Sequence, residues 1–232
     1  MLSDMKLRSL HSWSVTPARG RELQEELAKN VEMKPVPPEA RLVAGADMAF
    51  SKAHGVFFAS VLVFGFPGLE LLEEVSVQHK PTFPYVPGLL TFREGPVLMK
   101  AIRKLRIVPD VFIFDGQGVA HPRRLGLAAH LGLWLGIPTV GCAKSRLIGT
   151  YDPPGHKKGS RKALFDKQER IGTVLRTRDG VKPVFISPGH LADFQTSTRL
   201  VLQCCTKYRL PEPTRLADKA VARVKKEFLE TV

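Results

Sequence analysis

The chain is poor in cysteine, and what it has forms no pattern. Cys142, Cys204 and Cys205 are the only three in 232 residues, and two of them are adjacent. An odd count with that spacing gives neither a disulfide framework nor a zinc motif, which points to a reducing compartment. Long apolar runs are missing too: no stretch approaches the roughly 18 apolar residues of a membrane span. The start, MLSDMKLRSLHSW, is too polar for the apolar core of a secretory signal. The expectation is a cytoplasmic protein with no membrane partner. Acids are scarce as well, with 22 Asp and Glu against 35 Lys and Arg, a net charge of +13. That balance suits a polyanionic partner, most simply nucleic acid, although a ribosome-associated or merely basic protein carries the same signal. No internal repeat and no linker-like stretch interrupts the chain. Residues 1–232 are therefore expected to form one domain, with 1–15 as a loosely ordered leader, and 44% hydrophobic residues suffice for a full core. No long exposed apolar helix face stands out, so a monomer is expected.

What is present centres on VPDVFIFDGQGVAHPRRLG, residues 108–126. Val111, Phe112, Ile113 and Phe114 make a short β-type run that ends in the carboxylate of Asp115. Gly116, Gly118, His121, Pro122, Arg123 and Arg124 follow. A buried strand that delivers an acid to its C-terminal edge, beside a permissive loop and cations, is the usual placement of an active site in an α/β protein. Upstream, Thr16-Pro17 opens an amphipathic helix over 18–31, with Leu23, Leu27 and Val31 on one face. Three strands, at 41–50, 56–66 and 69–80, are joined by short turns and read as an antiparallel meander. The Pro- and Gly-rich PTFPYVPGLLTFREGP, 81–96, reads as a loop that exposes aromatics, with an amphipathic helix starting at Val97. Downstream, Pro122 opens an apolar helix to about Leu135, and PTVGCA is a buried strand leading to Lys144. These complete a βαβ unit. Residues 151–170 read as a polar loop whose Lys157, Lys158, Arg161 and Lys162 either contact phosphate or are simply solvated. A strand hairpin over 171–187, a helix over 192–207 and a C-terminal helix complete the chain.

Asp47 ends or nearly ends the first strand, and Asp115 ends the fourth. If those strands are neighbours, two carboxylates meet in an apolar sheet and repel. A Mg²⁺ or Mn²⁺ ion resolves that cost, because hard cations take oxygen ligands and leave positions for water and phosphate oxygens. Glu94 is placed to reach the same edge. Asp218, near the start of the last helix, either closes the site or is an ordinary helix cap. Such a site supports phosphodiester hydrolysis. Lys144 would neutralise transition-state charge, and His121 is either a phosphate or proton-transfer group or a structural hydrogen-bonding residue. The element order matches an α/β, ribonuclease H-like fold: a mixed sheet, three antiparallel strands then parallel strands, flanked by helices. Fold analogy alone names no substrate.

Six segments, taken together and in order, go further. AGADMAF, PYVPGLLTFREGP, DGQGVAHPRRLG, GCAKSRL, SPGH and RLPEPTRLAD lie between Ala44 and Asp218, in a likeness that covers about residues 20–220. They resemble the endonuclease V (deoxyinosine 3′ endonuclease) family. The resemblance implies a Mg²⁺-dependent endonuclease, with Mn²⁺ able to substitute. Its target is hypoxanthine, as deoxyinosine in DNA or as inosine in RNA. It cuts the second phosphodiester bond on the 3′ side, leaving a 3′-hydroxyl and a 5′-phosphate. By motif, Asp47 and Asp115 bind the metal directly, Glu94 binds directly or through water, and Asp218 stands where some members carry His. Lys144 faces the scissile phosphate. Pro84, Tyr85 and Val86 resemble the family's wedge, with Tyr85 filling the gap left by a base taken out of the stack. Gly88, Leu89, Gly116 and Gly118 would form the base pocket through their backbones. His121, Arg123 and Arg124 are candidates for strand-backbone contacts. Gln117, where His is common, bears on substrate preference; Cys142 and Phe50 also depart from common family residues and touch no proposed ligand. A non-catalytic nucleic-acid-binding module is disfavoured by Asp47, Glu94, Asp115 and Lys144 occurring together. A generic structure-specific nuclease is disfavoured by the Tyr85 segment.

Overall fold

A computed structural model describes residues 7–231. The meander forms as the alternation suggests. β1 (Leu42–Ser51), β2 (Val56–Gly65) and β3 (Leu71–His79) pair antiparallel in sequence order. β2, the middle strand, is buried at nearly every position, which explains its continuous apolar run. Ahead of it, α1 (Pro17–Ala28) starts with Thr16 accepting from the Arg19 amide and with Pro at the first turn, where no intrahelical donor is lost.

The loop after β3 is shorter than its composition suggests. α2 (Leu90–Ile102) begins inside the Pro- and Gly-rich stretch and carries Pro96 within it. The cost of a mid-helix proline is offset here by a first turn that buries Thr91 and Phe92 and by an apolar face from Val97 onward. The opposite correction applies after β4 (Val111–Phe114). α3 (Leu127–Leu135) does not start at Pro122. Residues 121–126 form an irregular turn in which Arg124 sits at φ 55, held by ion pairs to Asp166 and Glu169, each 2.7 Å. β5 (Thr139–Ala143) completes the parallel strand–helix–strand unit.

The basic stretch read as a loop contains a strand. β6 (Arg161–Asp166) pairs with β7 (Glu169–Leu175), which pairs with β8 (Val184–Pro188) as the expected hairpin. A charged edge strand is what cross-strand pairing tolerates at a sheet boundary. α4 (Phe194–Gln203) and α5 (Glu212–Thr231) finish the chain.

Among the described residues, eight strands form one sheet, ordered β3-β2-β1-β4-β5-β8-β7-β6. Even positions of β1 and β4 (Ala44, Ala46, Phe112, Phe114) pack under α2 and α3. Odd positions (Val43, Val111, Ile113) pack under α4 and α5. Burying Phe112 and Phe114 completely contributes roughly 2–3 kcal/mol each. The expected loose leader is packed from Leu7 on: Trp13 stacks on Trp134 at 4.8 Å, and His11 shares a 2.7 Å hydrogen bond with His130. Its first six residues lie outside the described ones. Among the described residues, no helix is long and apolar enough to cross a membrane.

Candidate active site

Strand register brings the first two acids together. Ala46 and Phe114 are partners across the parallel β1–β4 pair, so Asp47 and Asp115 come next, side by side where β4 ends; Asp47 does not end its own strand, because β1 continues to Ser51 in its pairing with β2. Both share the parity of Val43 and Ile113 and emerge on the α5 side. A third acid follows from a glycine. A Cβ on Gly45 would lie 2.1 Å from the Pro213 backbone. Only the bare strand lets the first turn of α5 sit directly on β1, and this brings Asp218, exposed on α5, toward Asp47. Glu94 comes from α2. Lys144 extends from the end of β5 and places its Nζ 2.6 Å from Asp115 Oδ2.

Electrostatics show how crowded this edge is. Burial, then the charge of Asp115, pushes the Asp47 carboxyl up to about 7; Asp218 adds to the rise, while a hydrogen bond from the Met48 amide opposes it. Burial, then Asp47, pushes Glu94 up to about 8, with Arg93 opposing. Burial alone would lower Lys144, but its hydrogen bond and attraction to Asp115, with Asp47 and Asp218 behind, raise it. Among the described residues, no three carboxylate, imidazole or thiolate groups already converge as a closed metal shell. The donor chemistry nonetheless fits a hard divalent cation. Four carboxyls approach one edge, and burial, then repulsion from neighbouring carboxylates, makes two of them resist ionisation.

Beside this edge lies a cavity of about 450 Å³, within the ~300–1,000 Å³ range of small-ligand sites. One wall is Tyr85, Val86, Gly88 and Leu90; the other is Gly116, Gln117 and His121; Asp115 and Lys144 lie at their junction. Tyr85 is 70% exposed at the rim. Gly88 has φ +77, and a Cβ there would come within 2.8 Å of the Arg123 guanidinium, so glycine is required on both counts. His121 is buried. Desolvation, then the Arg123 cation, lowers its pKa to about 4. The Arg123 amide donates to its Nδ1 at 3.2 Å, which leaves the proton of the neutral ring on Nε2.

Several expected residues take other places. Leu89 packs in the core with Leu23, Phe83 and Phe92. Gly118 lets two backbones cross, because a Cβ there would meet the Pro188 carbonyl at 1.9 Å. Pro84 is exposed and outside the cavity wall. The two arginines are engaged within the protein. Arg123 donates to Gln24 Oε1 (2.6 Å) and the Gly88 carbonyl (2.8 Å), and Arg124 makes the two ion pairs above.

Other contributors were not evident from the sequence. Gln24 on α1 reaches the cavity and donates to the Leu125 carbonyl at 3.2 Å. A polar residue beside the Leu23–Leu27 stripe was its signal. Ser145, Arg146 and Leu147 extend the wall past Lys144. Gln117 Nε2 donates to the Ser145 carbonyl (3.1 Å), and Arg209 Nη2 donates to the Lys144 carbonyl (2.6 Å). The backbone that bears the lysine is thus held at two consecutive residues.

Comparison with known proteins agrees with this layout. Residues 25–219 match the Endonuclease V family model. Endonuclease V of Thermosipho melanesiensis is 46% identical over 226 residues, covering 97% of this chain and 99% of that one. The crystal structure of Streptomyces avermitilis Endonuclease V gives a TM-score of 0.90 at 40% identity, covering 94% of this chain and 96% of that one. Ciona intestinalis Endonuclease V, crystallised with a 24mer DNA containing an inosine followed by a ribo-adenosine, gives 0.80 at 27% identity, covering 91% and 98%. One sheet order, one set of ordered motifs and near-complete coverage lead to a single conclusion: this chain belongs to the endonuclease V family, phosphodiester-hydrolysing nucleases of the ribonuclease H-like fold.

Proposed function

We propose that this protein is a divalent-metal-dependent endonuclease that recognises hypoxanthine in nucleic acid. It hydrolyses the second phosphodiester bond on the 3′ side, leaving a 3′-hydroxyl and a 5′-phosphate. Deoxyinosine in DNA is the first substrate and inosine in RNA the second. The chain works as a single-domain cytoplasmic monomer. One observation carries the reading: the cavity of base-binding size opens directly onto Asp115 and Lys144, so a base held in it leaves its own strand lying across the carboxylate edge. The Ciona relative, whose DNA contains an inosine, supports the same choice of base.

The division of labour follows from the geometry. Asp47 and Asp115, with Glu94 and Asp218 beside them, would hold Mg²⁺ or Mn²⁺, which polarises a phosphate oxygen and lowers the pKa of a bound water. Tyr85, exposed at the rim, fills the space left in the stack when the target base leaves it. Hypoxanthine pairs weakly, so its extrusion costs less than that of a normal base. His121 offers an Nε2–H at the cavity wall while remaining neutral. Lys144, fixed through its carbonyl, presents a cation where charge develops on the phosphate.

The test is direct. The protein is incubated with Mg²⁺ and a labelled duplex containing one deoxyinosine, and separately with a single-stranded RNA containing one inosine. Nicking at the second bond 3′ to the base, with a ligatable 5′-phosphate, is expected. Absence of an inosine-dependent nick in both would sink the reading.

A further inference from the structure

Far along the sheet from the cavity, β6, β7 and α4 enclose a groove of about 440 Å³. Arg161, Arg170 and Arg199 line it, one from each element, together with Phe194, Gln195 and Thr198. No acidic side chain lines it, and none of the three arginines forms an ion pair among the described residues. Arg170 is set in place: its Nη2 donates to Thr173 Oγ1 at 3.1 Å, and its guanidinium lies 4.6 Å from the centroid of the Phe194 ring. Asp193, next in sequence to Phe194, is taken up by capping α4, accepting from the Thr196 amide and hydroxyl at 2.6 Å each. Three like charges around one concave surface repel, and their field concentrates anions.

Strand register fixes where the groove begins. Ala143 partners Phe185, Phe185 partners Val174, and Val174 partners Lys162. The start of β6, with Arg161 beside Lys162, therefore lies at the same sheet end as Lys144, three strand spacings away. At ~4.8 Å per spacing that is about 14 Å. A B-form strand advances ~3.4 Å per base step, so the separation corresponds to about four steps.

We propose that this groove is a second phosphate-backbone site, gripping the substrate strand several nucleotides from the cut. It rests on the nucleic-acid reading above and adds an anchor outside the lesion cavity. Arg161 and Arg199 supply exposed cations, and Arg170 one held by Thr173 and Phe194. Its contribution is affinity without sequence preference, because it meets only backbone charge.

The experiment compares wild type with Arg161→Gln/Arg199→Gln, neither residue touching the carboxylate edge. Binding is measured against salt, without divalent cation, on two inosine-containing strands: one extending well past the groove, one ending just beyond the cut. On the long strand, the slope of log K against log salt should flatten by about 1.4–1.8, the loss of two phosphate contacts. Affinity at low salt should fall roughly tenfold. On the short strand, binding should not change, nor should the cleavage rate under saturating protein. A single Arg161→Glu variant should weaken long-strand binding in the same length-dependent way, and it keeps the test open if the double variant does not fold. Equal slopes for variant and wild type on the long strand overturn the proposal. Failure of the wild type to nick inosine would overturn the functional reading instead, while the slope on the long strand would still decide the groove.

Discussion

The two halves of the site are built in opposite ways. The carboxylate edge stands on regular elements, with Asp47 on β1, Asp115 at the end of β4, Glu94 on α2 and Asp218 on α5. Strand register and helix seating fix it, and it concentrates negative charge. The cavity is walled largely by irregular chain, the 85–88, 116–121 and 144–147 segments. Its shape comes from glycines and from arginines that brace those loops, and its one buried titratable ring is kept neutral. On the function proposed above, rigid elements would hold the groups that do chemistry and braced loops the surface that selects a base. If that division is real, damage to one half should leave the other working.

The sharpest break comes from the edge. Asp47→Ala or Asp115→Ala should lower single-turnover cleavage of an inosine substrate on the order of 10³-fold or more. Binding to that substrate should stay within a few-fold. A parallel loss of affinity and rate would mean that the halves are not separable.

Lys144 tests their junction, since it lines the cavity and pairs with Asp115. Lys144→Gln should slow cleavage by about 10²–10³-fold, the usual effect of removing one preorganised charge donor. It should also leave preference for inosine over adenosine unchanged. A change in that preference, measured as the ratio of affinities, would move Lys144 from chemistry to recognition.

The same contrast governs what could be read from the chain. Asp115 was visible because a buried strand announces itself by an apolar run and an acid at its end. Its neighbour Asp47 needed only one further assumption, that β1 and β4 are adjacent, and the parallel register bears that adjacency out. Glu94 was placed on a loop because prolines and glycines obscured the first two turns of α2, and burial of Phe92 had no local signal. β6 was invisible for a related reason: an edge strand of charged residues gains its structure from pairing with β7, which is not a property of its own sequence. The braces Gln24, Arg123 and Arg209 act between segments distant in sequence, and no spacing rule reports them.

On the recognition side, Tyr85→Ala should reduce preference for an inosine-containing duplex over an undamaged one by roughly tenfold, in keeping with ~1–3 kcal/mol for an aromatic–base stack. Cleavage of inosine substrate at saturation should change little. Because Tyr85 is 70% exposed, its loss should leave Tm unaltered. A lowered Tm would show that the residue is part of the fold and not only of the rim.

The smallest effect expected at neutral pH separates the halves by the sign of their response to acid. His121 titrates near 4 in the folded protein against 6.5 for a free ring. Between those values the unfolded chain binds a proton that the folded one refuses, so stability falls as pH drops from about 6.5 through 4. The size of that fall is on the order of 3 kcal/mol. The carboxylate edge behaves in the reverse sense. With Asp47 near 7 and Glu94 near 8, the folded state binds protons more readily than the unfolded chain, and acid relieves it until the ordinary carboxyl range is reached. Unfolding by urea, measured without divalent cation at a series of pH values, should therefore show His121→Gln and wild type converging near pH 7. Below about 6 the variant should gain on the wild type, as the protonation penalty of the ring disappears. Parallel curves would mean that His121 is free to take up its proton in the folded state, and the cavity wall would then carry a charge at the acidic end of the range.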